Sequence, residues 1–335
     1  MTRTKLNHGG VTRRRFIAIS AAVAGAATGA WPGRGRAAAA PLVEWRGVAL
    51  GAAASLRLAH PDPVAGRALL RRCVDEIERL ERIFSLYREE SALCRLNRDG
   101  ALEGPPLELV ELLSYAGRVS ALTGGAFDVT IQPLWLRLRR HFQAPHADPR
   151  GPRLDDVLPL VDWRGLEVSP ARLAFARSGM AVTLNGIAQG YITDRVGDLL
   201  RDAGMTSVLI DLGEIRALGS RPDGAPWRVG LSAAESAGGI ARRLDLSDAA
   251  LATSGGYGLM FDAAGRYGHL LDPRNGRSVP PGRSVSVVAL RATVADAAST
   301  ALSVLPDGKA SGVLKGLGAS AAYIQSAGGT TVIEV

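Results

Sequence analysis

The feature that most constrains the fold is a succession of short β-strand signals in the second half of the chain. Hydrophobic and polar residues alternate in them, and turn-forming sequences such as R-P-D-G and D-P-R-N-G separate them. These predicted strands cover residues 206–212, 214–219, 227–232, 240–246, 257–262 and 266–271. Strands that run in sequence, with helices packed outside, predict an α+β fold with mixed or antiparallel sheets, and not a doubly wound nucleotide-binding fold.

Periodicity elsewhere predicts the helices and the remaining strands. Residues 64–84 form the clearest amphipathic helix, and the Pro-rich stretch 143–153 is predicted to be an exposed loop. The other predictions are strands at 43–50, 53–59, 126–131 and 284–290, helices at 106–122 and 186–203, a helix bearing Asp296, and a closing helix with two strands. Neither a G-x-G-x-x-G nor a Walker A motif is present, so those two phosphate-binding routes are excluded.

Residues 1–40 are predicted to be a twin-arginine export signal. Residues 12–17 read T-R-R-R-F-I, a weakly apolar run follows, and small residues suit cleavage near Ala39 or Ala40. We therefore expect a periplasmic protein with a single mature domain, residues 41–335. The apolar run is too short to anchor in a bilayer, so no membrane anchor is expected in the mature chain. An ordinary secretory signal would lead to the same compartment.

The charge balance argues against a nucleic-acid partner, and the positions of the cysteines and histidines argue against a zinc site. The formal charge of +8 comes mostly from the first 40 residues, and without their seven basic residues 33 basic face 32 acidic ones. No basic excess remains for a nucleic-acid partner. No Cys/His cluster has zinc spacing. An oxidising compartment permits a disulfide between Cys73 and Cys94, but Cys73 lies on an apolar helix face and is predicted to be buried.

The stretch R-A-T-V-A-D-A-A-S-T-A-L, residues 291–302, places Asp296 and Thr300 on one face of a helix of small residues. They could form a surface patch, a helix cap, or a pair of oxygen ligands for a divalent cation. The stretch V-T-L-N-G-I-A-Q-G-Y, residues 182–191, ends a strand and begins a helix at Gly186. Its two glycines favour either phosphate binding at the helix start or close helix packing.

His269 is the histidine that falls inside a predicted apolar strand, three residues before Asp272. On local evidence it is either a satisfied structural residue or a catalytic base.

Together these stretches resemble the ApbE family of FAD:protein FMN transferases, over about residues 45–335. Five motifs occur in the family's order. They are F-S-x-Y-x-x-x-S-x-L-x-x-L-N at Phe84 to Asn97, G-x-F-D at 125–128, D-L-G-G-I-A-K-G-Y in outline at 183–191, S-G-x-Y…H-I-x-D-P-x-T-G from Ser254 to Gly276, and A-D-A-x-S-T-A at 295–301.

The resemblance implies an ApbE-like, T-fold-like architecture with two lobes and a site for FAD and magnesium. The implied Mg²⁺ ligands are Asp296, Thr300 and the carbonyl of Gly186, which agrees with the preference of magnesium for oxygen ligands. The implied flavin contacts are Leu50, Tyr87, Ala126, Phe127, Asp128, Thr183, Gln189 and Leu270, and His269 is the implied catalytic base.

The implied reaction transfers FMN from FAD, its substrate, to a Thr or Ser hydroxyl of an acceptor protein and releases AMP. The acceptor would be a membrane or periplasmic electron-transfer protein. Two alternatives stay open: a Mg²⁺-dependent FAD pyrophosphatase that yields FMN and AMP, and a non-catalytic flavin-binding protein.

The sequence departs from the family pattern at several positions. Thr183 replaces a common acidic residue, Gln189 replaces a common Lys, Glu214 replaces Asp, and Gly268 replaces a frequent histidine. These changes indicate either a coherent subfamily or weakened catalysis.

Overall fold

The computed structural model describes residues 40–232 and 239–335. The predicted export signal therefore lies outside the described residues, except for Ala40. The helices are α1 (Pro63–Phe84), α2 (Ala92–Asp99), α3 (Leu107–Leu122), α4 (Gln132–Gln143), α5 (Ala188–Asp202), α6 (Ala292–Val304) and α7 (Ala310–Leu317). The strands are β1 (Leu42–Ala49), β2 (Ala52–Ala59), β3 (Ala101–Glu103), β4 (Leu166–Val168), β5 (Arg172–Phe175), β6 (Val208–Asp211), β7 (Ile215–Leu218), β8 (Trp227–Ser232), β9 (Ile240–Leu246), β10 (Ala250–Gly255), β11 (Ser284–Ala289), β12 (Ala319–Ser326) and β13 (Gly329–Glu334).

The largest of the sheets among the described residues has eight strands in the order β1-β2-β6-β7-β10-β11-β12-β13. Its neighbouring strands all pair antiparallel. Two small antiparallel sheets, β3-β5-β4 and β8-β9, accompany it. The prediction of an α+β fold with antiparallel sheets and flanking helices is thus confirmed.

Both faces of the large sheet are covered. Val208 and Ile210 of β6 pack in the core shared with α1 and α5, whereas Leu209 between them packs under the β8–β9 hairpin. Burial on both faces explains why β6 is a continuous apolar run. Helices α6 and α7 pack on strands β10 to β12 in a second helical core.

Helix α1 shows how local sequence sets an element. The side chain of Asp62 accepts a hydrogen bond from the Val64 N–H, and Pro63 occupies the first turn, where its missing N–H costs nothing. Cys73 lies fully buried on its apolar face, as predicted. Cys73 and Cys94 are both free, so the disulfide that the compartment would permit is not formed.

Two predicted strands, 257–262 and 266–271, are absent from the structure. That segment contains only the isolated bridges Met260↔Gly268 and Leu271↔Ser278. The N–H groups of Arg266 and Tyr267 donate to the carboxylate of Asp262 at 2.8 and 2.9 Å, which folds the chain into a turn instead of a ladder. The prediction that His269 lies inside a strand is therefore wrong.

The predicted strand at 126–131 is wrong for a similar reason. The carboxylate of Asp128 accepts hydrogen bonds from the N–H and the hydroxyl of Thr130, at 2.8 and 2.6 Å. This cap begins a single 3₁₀ turn, Val129–Ile131, which continues into α4. Neither α4 nor β10 was predicted. The exposed loop predicted after residue 143 is confirmed.

None of the helices in the described residues is both long enough and apolar enough to cross a membrane.

Candidate active site

The three predicted metal ligands come together where α5 begins beside α6. Asp296 is 3% exposed, and one of its carboxylate oxygens accepts a hydrogen bond from the Gly190 N–H at 3.0 Å. Thr300 lies one turn further along α6, with its hydroxyl oxygen 3.2 Å from that of Ser254 on β10. A Cβ atom added to Gly186 would lie only 2.9 Å from the Thr300 hydroxyl oxygen, so the Gly186 backbone borders the same space.

The two glycines at the start of α5 have different roles. A Cβ atom on Gly190 would lie 2.4 Å from the Ala292 carbonyl oxygen, which confirms the close-packing interpretation for this position. Gly190 lies in the first turn of α5, where a main-chain N–H has no intrahelical partner, and its N–H donates to Asp296. Gly186 precedes α5, so its carbonyl lies outside the intrahelical ladder.

Two buried carboxyl groups adjoin each other at this point. Burial, with a smaller contribution from Asp194, raises the pKa of Asp296 to about 7, and the Gly190 N–H opposes the shift. Glu214 lies in the turn between β6 and β7, and burial followed by the charge of Asp296 raises its pKa well above the ordinary value. Its Oε2 has no hydrogen-bond partner among the described residues.

This donor set fits a hard divalent cation. Adjacent buried carboxylates repel each other and need a positive charge to stay ionised. Within residues 40–232 and 239–335, no group of three or more His, Cys, Asp or Glu side chains could hold a metal by itself. An ion here would complete its coordination with phosphate oxygens and water, as Mg²⁺ does in many phosphate-binding sites.

The predicted flavin contacts Leu50 and Tyr87 are linked through Glu81 of α1. The Leu50 N–H donates to one Glu81 carboxylate oxygen at 2.6 Å, and Arg88, next to Tyr87, donates to the other at 3.1 Å. Tyr87 is 58% exposed, so its ring presents a surface on which a flat ligand can stack.

The G-x-F-D stretch supplies structure as well as a possible contact surface. Ala126 and Phe127 are buried, and the Asp128 carboxylate is occupied by Thr130 and by the Trp163 N–H at 3.0 Å. Burial raises the pKa of Asp128, while these hydrogen bonds oppose the shift. The Asp128 side chain therefore stabilises its own loop, and the main chain of Asp128 remains available to contact a ligand.

Hydrogen bonds join the glycine-rich stretch to two other motifs. The Asn97 side chain donates to the Val182 carbonyl at 2.8 Å and accepts from the Val182 N–H at 2.7 Å. The Thr183 N–H donates to the Val129 carbonyl at 2.8 Å. The Gln189 amide group lies against the Gly213 turn, 3.5 Å from the Leu212 carbonyl oxygen.

His269 lies in the irregular segment between β10 and β11. Its main-chain N–H donates to the Leu259 carbonyl at 2.9 Å, and the ring Nδ1 is buried without a hydrogen-bond partner among the described residues. Burial lowers the pKa of the imidazole, which keeps the ring neutral at pH 7. The residue as a whole is partly exposed. Leu270 follows it, and its carbonyl accepts the Val279 N–H.

A cavity of about 520 Å³ lies away from the metal-ligand candidates. It is lined by Pro133, Leu136, Arg137, Arg140, His141, Pro152, Val157, Gly179 and Ala181. None of the predicted site residues lines it, although Ala181 is two residues from Thr183. The convergence of Asp296, Thr300 and Gly186 therefore locates the site better than cavity size does.

Sequence reasoning missed Asp194, which is fully buried in α5, and treated Glu214 only as a departure from a family pattern. A signal for Asp194 exists in the sequence. It lies four residues after Gly190 and three before Gly197, so it shares a helix face with two glycines, a pattern that indicates close packing against another element.

The chain is similar to known proteins over most of its length. The profile of the ApbE family matches residues 50–324. A Vibrio cholerae FAD:protein FMN transferase is 29% identical over 275 residues, which cover 78% of this chain and 81% of that protein. The Treponema pallidum FAD:protein FMN transferase is 30% identical over 263 residues, which cover 71% and 72%.

Solved structures show the same relationship. The apo flavinyl transferase ApbE of Pseudomonas stutzeri superimposes with a TM-score of 0.71 at 26% identity, over 88% of this chain and 94% of that one. The ApbE protein of Thermotoga maritima gives a TM-score of 0.74 at 27% identity, over 88% and 97%. The chain belongs to the ApbE family, in which the matched curated relatives are FAD:protein FMN transferases.

Proposed function

We propose that this protein transfers FMN from FAD to a Thr or Ser hydroxyl of an acceptor protein, in a Mg²⁺-dependent reaction that releases AMP. The observation that carries the proposal is the convergence of Asp296, Thr300 and the Gly186 backbone beside the start of α5. Family membership and the transferase relatives support the same reaction.

The chemistry is a displacement at the FMN-side phosphorus of FAD. The acceptor hydroxyl oxygen forms the new bond to phosphorus, the bond to the AMP phosphate breaks, and AMP leaves. In this proposal His269 takes the hydroxyl proton, and burial favours the neutral imidazole that a base requires by lowering its pKa. Bound magnesium would supply positive charge to the pyrophosphate and to the departing phosphate.

The remaining residues bind and orient FAD in this proposal. Tyr87 offers its exposed ring to the isoalloxazine, and the main chain around Phe127 provides a second flavin contact. Gln189 lies at the start of α5, where the family has a Lys, and presents an amide instead of a cation. The nucleotide end then lies toward Thr183 and Gln189.

We further propose that the protein acts in the periplasm after twin-arginine export. Its acceptor would then be an exported or membrane-bound electron-transfer protein.

Incubation of the mature protein with FAD, Mg²⁺ and an FMN-acceptor domain tests the reaction. We expect AMP in solution and acceptor that carries FMN, detected by its fluorescence on a denaturing gel and by intact mass. Two controls should give no modified acceptor: one contains EDTA, and the other uses an acceptor whose target hydroxyl residue is replaced by valine.

The other outcomes identify the alternatives. Free FMN and AMP without modified acceptor would make the protein a pyrophosphatase. FAD that is bound but unchanged in the presence of Mg²⁺ and acceptor would make it a flavin-binding protein.

A further inference from the structure

We propose that Asp194 is a positioning residue that caps α6 and thereby fixes where Asp296 and Thr300 stand in the site. The inference rests on the proposed function, because it treats those two residues as Mg²⁺ ligands. Asp194 itself belongs to α5 and contacts neither ligand side chain through a hydrogen bond among those of the described residues.

The contacts of Asp194 are those of an N-terminal helix cap supplied by another helix. One carboxylate oxygen accepts the Ala292 N–H at 2.9 Å. The other accepts the N–H and the hydroxyl of Thr293 at 2.9 and 2.7 Å. The first N–H groups of a helix lack intrahelical partners, and a side chain at the cap position usually satisfies one of them. Here the cap position is Arg291, whose side chain makes no such bond, so Asp194 supplies it from 98 residues away.

A second contact fixes α6 one turn further along. The Gly190 N–H donates to the Asp296 carboxylate. Gly190 lies one turn before Asp194 on α5, and Asp296 lies one turn beyond the capped end of α6. The missing Cβ of Gly190 allows the two backbones to approach this closely. Two contacts at matching intervals determine the position of α6 along its axis. A slip of one residue would shift Asp296 by about 1.5 Å and rotate it away from Gly186.

The charge around Asp194 explains why this cap can be buried. Arg216 approaches it at 3.1 Å and is itself almost fully buried, and Arg291 approaches at 3.3 Å. Arg291 also makes two hydrogen bonds of 2.9 Å with Asp198, and Arg216 donates to Asp198 at 3.1 Å. Arg201 donates to Asp198 as well, at 3.4 Å, so two carboxylates are paired with three guanidinium groups, of which Arg216 and Arg291 contact both. Removing the charge of one carboxylate leaves these guanidinium groups with a single counter-charge, which is unfavourable for the buried Arg216.

The test compares Asp194→Asn with Asp198→Asn in the mature protein. Both substitutions remove one charge from the same cluster, but only Asp194 bonds to the first turn of α6. Asn keeps the shape of Asp194 and one accepting oxygen, while its NH₂ group cannot accept an N–H. Isothermal titration with MgCl₂ in the presence of FAD, and the Mg²⁺ dependence of FAD turnover, report on the ligands. Thermal melting without Mg²⁺ reports on the fold.

We expect Asp194→Asn to raise the Mg²⁺ dissociation constant at least about tenfold, with turnover partly restored at high Mg²⁺. Asp198→Asn should lower the melting temperature and leave the Mg²⁺ dissociation constant within about twofold of wild type. Thr293→Val removes one of the three hydrogen bonds to Asp194 without changing charge, and should give a smaller rise in the same constant. It keeps the inference testable if Asp194→Asn does not fold.

A purely structural role would be indicated if Asp194→Asn and Thr293→Val lower the melting temperature with wild-type Mg²⁺ affinity. Equal loss of Mg²⁺ affinity in Asp198→Asn would also overturn the inference. If the wild-type protein turns over FAD without any response to Mg²⁺, the metal part of the proposed function fails, and the role of Asp194 fails with it.

Discussion

The main-chain N–H of Gly190 donates a hydrogen bond of 3.0 Å to the carboxylate of Asp296, across 106 residues of sequence. The contact joins the glycine-rich start of α5 to the helix of small residues that carries the candidate metal ligands. It also gives a partner to an N–H in the first turn of α5, where the helix supplies none. One hydrogen bond thus holds the Asp296 carboxylate in place and satisfies a donor at the start of α5.

Asp296→Asn is expected to abolish Mg²⁺-dependent FAD turnover and to leave the fold intact. Asn keeps the size and one oxygen for the Gly190 N–H but lacks the charge that holds a hard cation. Thr300→Val should cause a smaller loss that added Mg²⁺ partly restores. Metal titrations of turnover measure both effects, and wild-type activity of Asp296→Asn at limiting Mg²⁺ would contradict the assignment.

Melting curves without Mg²⁺ provide the control for Asp296. Burial raises its carboxyl pKa to about 7, so its ionisation costs stability as pH rises from about 4 through 7. A neutral Asn avoids this cost. At pH 8 the metal-free Asp296→Asn variant should therefore melt no lower than the wild type, whereas a lower melting temperature would indicate a structural role for the charge.

Gly190→Ala is expected to destabilise the protein by about 1–3 kcal/mol or more, because the added methyl group meets the Ala292 backbone at 2.4 Å and cannot rotate away. Gly312→Ala is the matched control. It lies within α7, and a Cβ there meets nothing within 4 Å. It should stabilise the protein by about 0.5–1 kcal/mol through helix propensity. Urea unfolding of both variants tests the pair, and equal effects would contradict the close-packing argument.

Asn97→Ala should lower the free energy of unfolding by about 1–3 kcal/mol, since it removes two hydrogen bonds to the Val182 backbone. It should also weaken FAD binding, because Val182 directly precedes Thr183. Asn97→Asp can accept the Val182 N–H but cannot donate to its carbonyl, so an intermediate effect is expected. Fluorescence titration with FAD and urea unfolding measure the two quantities. Unchanged FAD affinity in Asn97→Ala would show that the contact between Asn97 and Val182 lies outside the binding site.

His269→Ala is expected to slow FMN transfer by roughly 10²–10⁴-fold, the range of general-base contributions, with little change in FAD affinity. If rate and affinity fall together, His269 is a binding or structural residue, as one of the two local interpretations held.

The pH dependence of kcat tests the same residue independently. Burial lowers the pKa of His269 below its usual 6.5, so the neutral base persists at more acidic pH. Transfer should decline only below pH 6.5 in the wild type. The same shift means that the stability contributed by neutral His269 is fully present above 6.5 and is lost as pH falls through the lowered pKa. An acidic limb above pH 6.5 would exclude His269 as the group that titrates.

The sequence by itself determined the elements whose signals are local. The amphipathic pattern of α1, the alternating strands between residues 206 and 246, and the shared face of Asp296 and Thr300 all follow from spacing within a few residues. The order of the five motifs was enough to indicate the family. Such features depend on short-range geometry, which a single chain segment already contains.

Only the tertiary structure decided the features that depend on distant partners. Residues 257–271 alternate like strands but fold as turns, because Asp262 takes amide hydrogens that a ladder would use. The cap that Asp194 places on α6 spans 98 residues, and the contact of Gly190 with Asp296 spans 106. The environment of Glu214 likewise comes from the packing of α6 against the β6–β7 turn. Burial and pairing of polar groups are set by packing between elements, and no local pattern records which elements will meet.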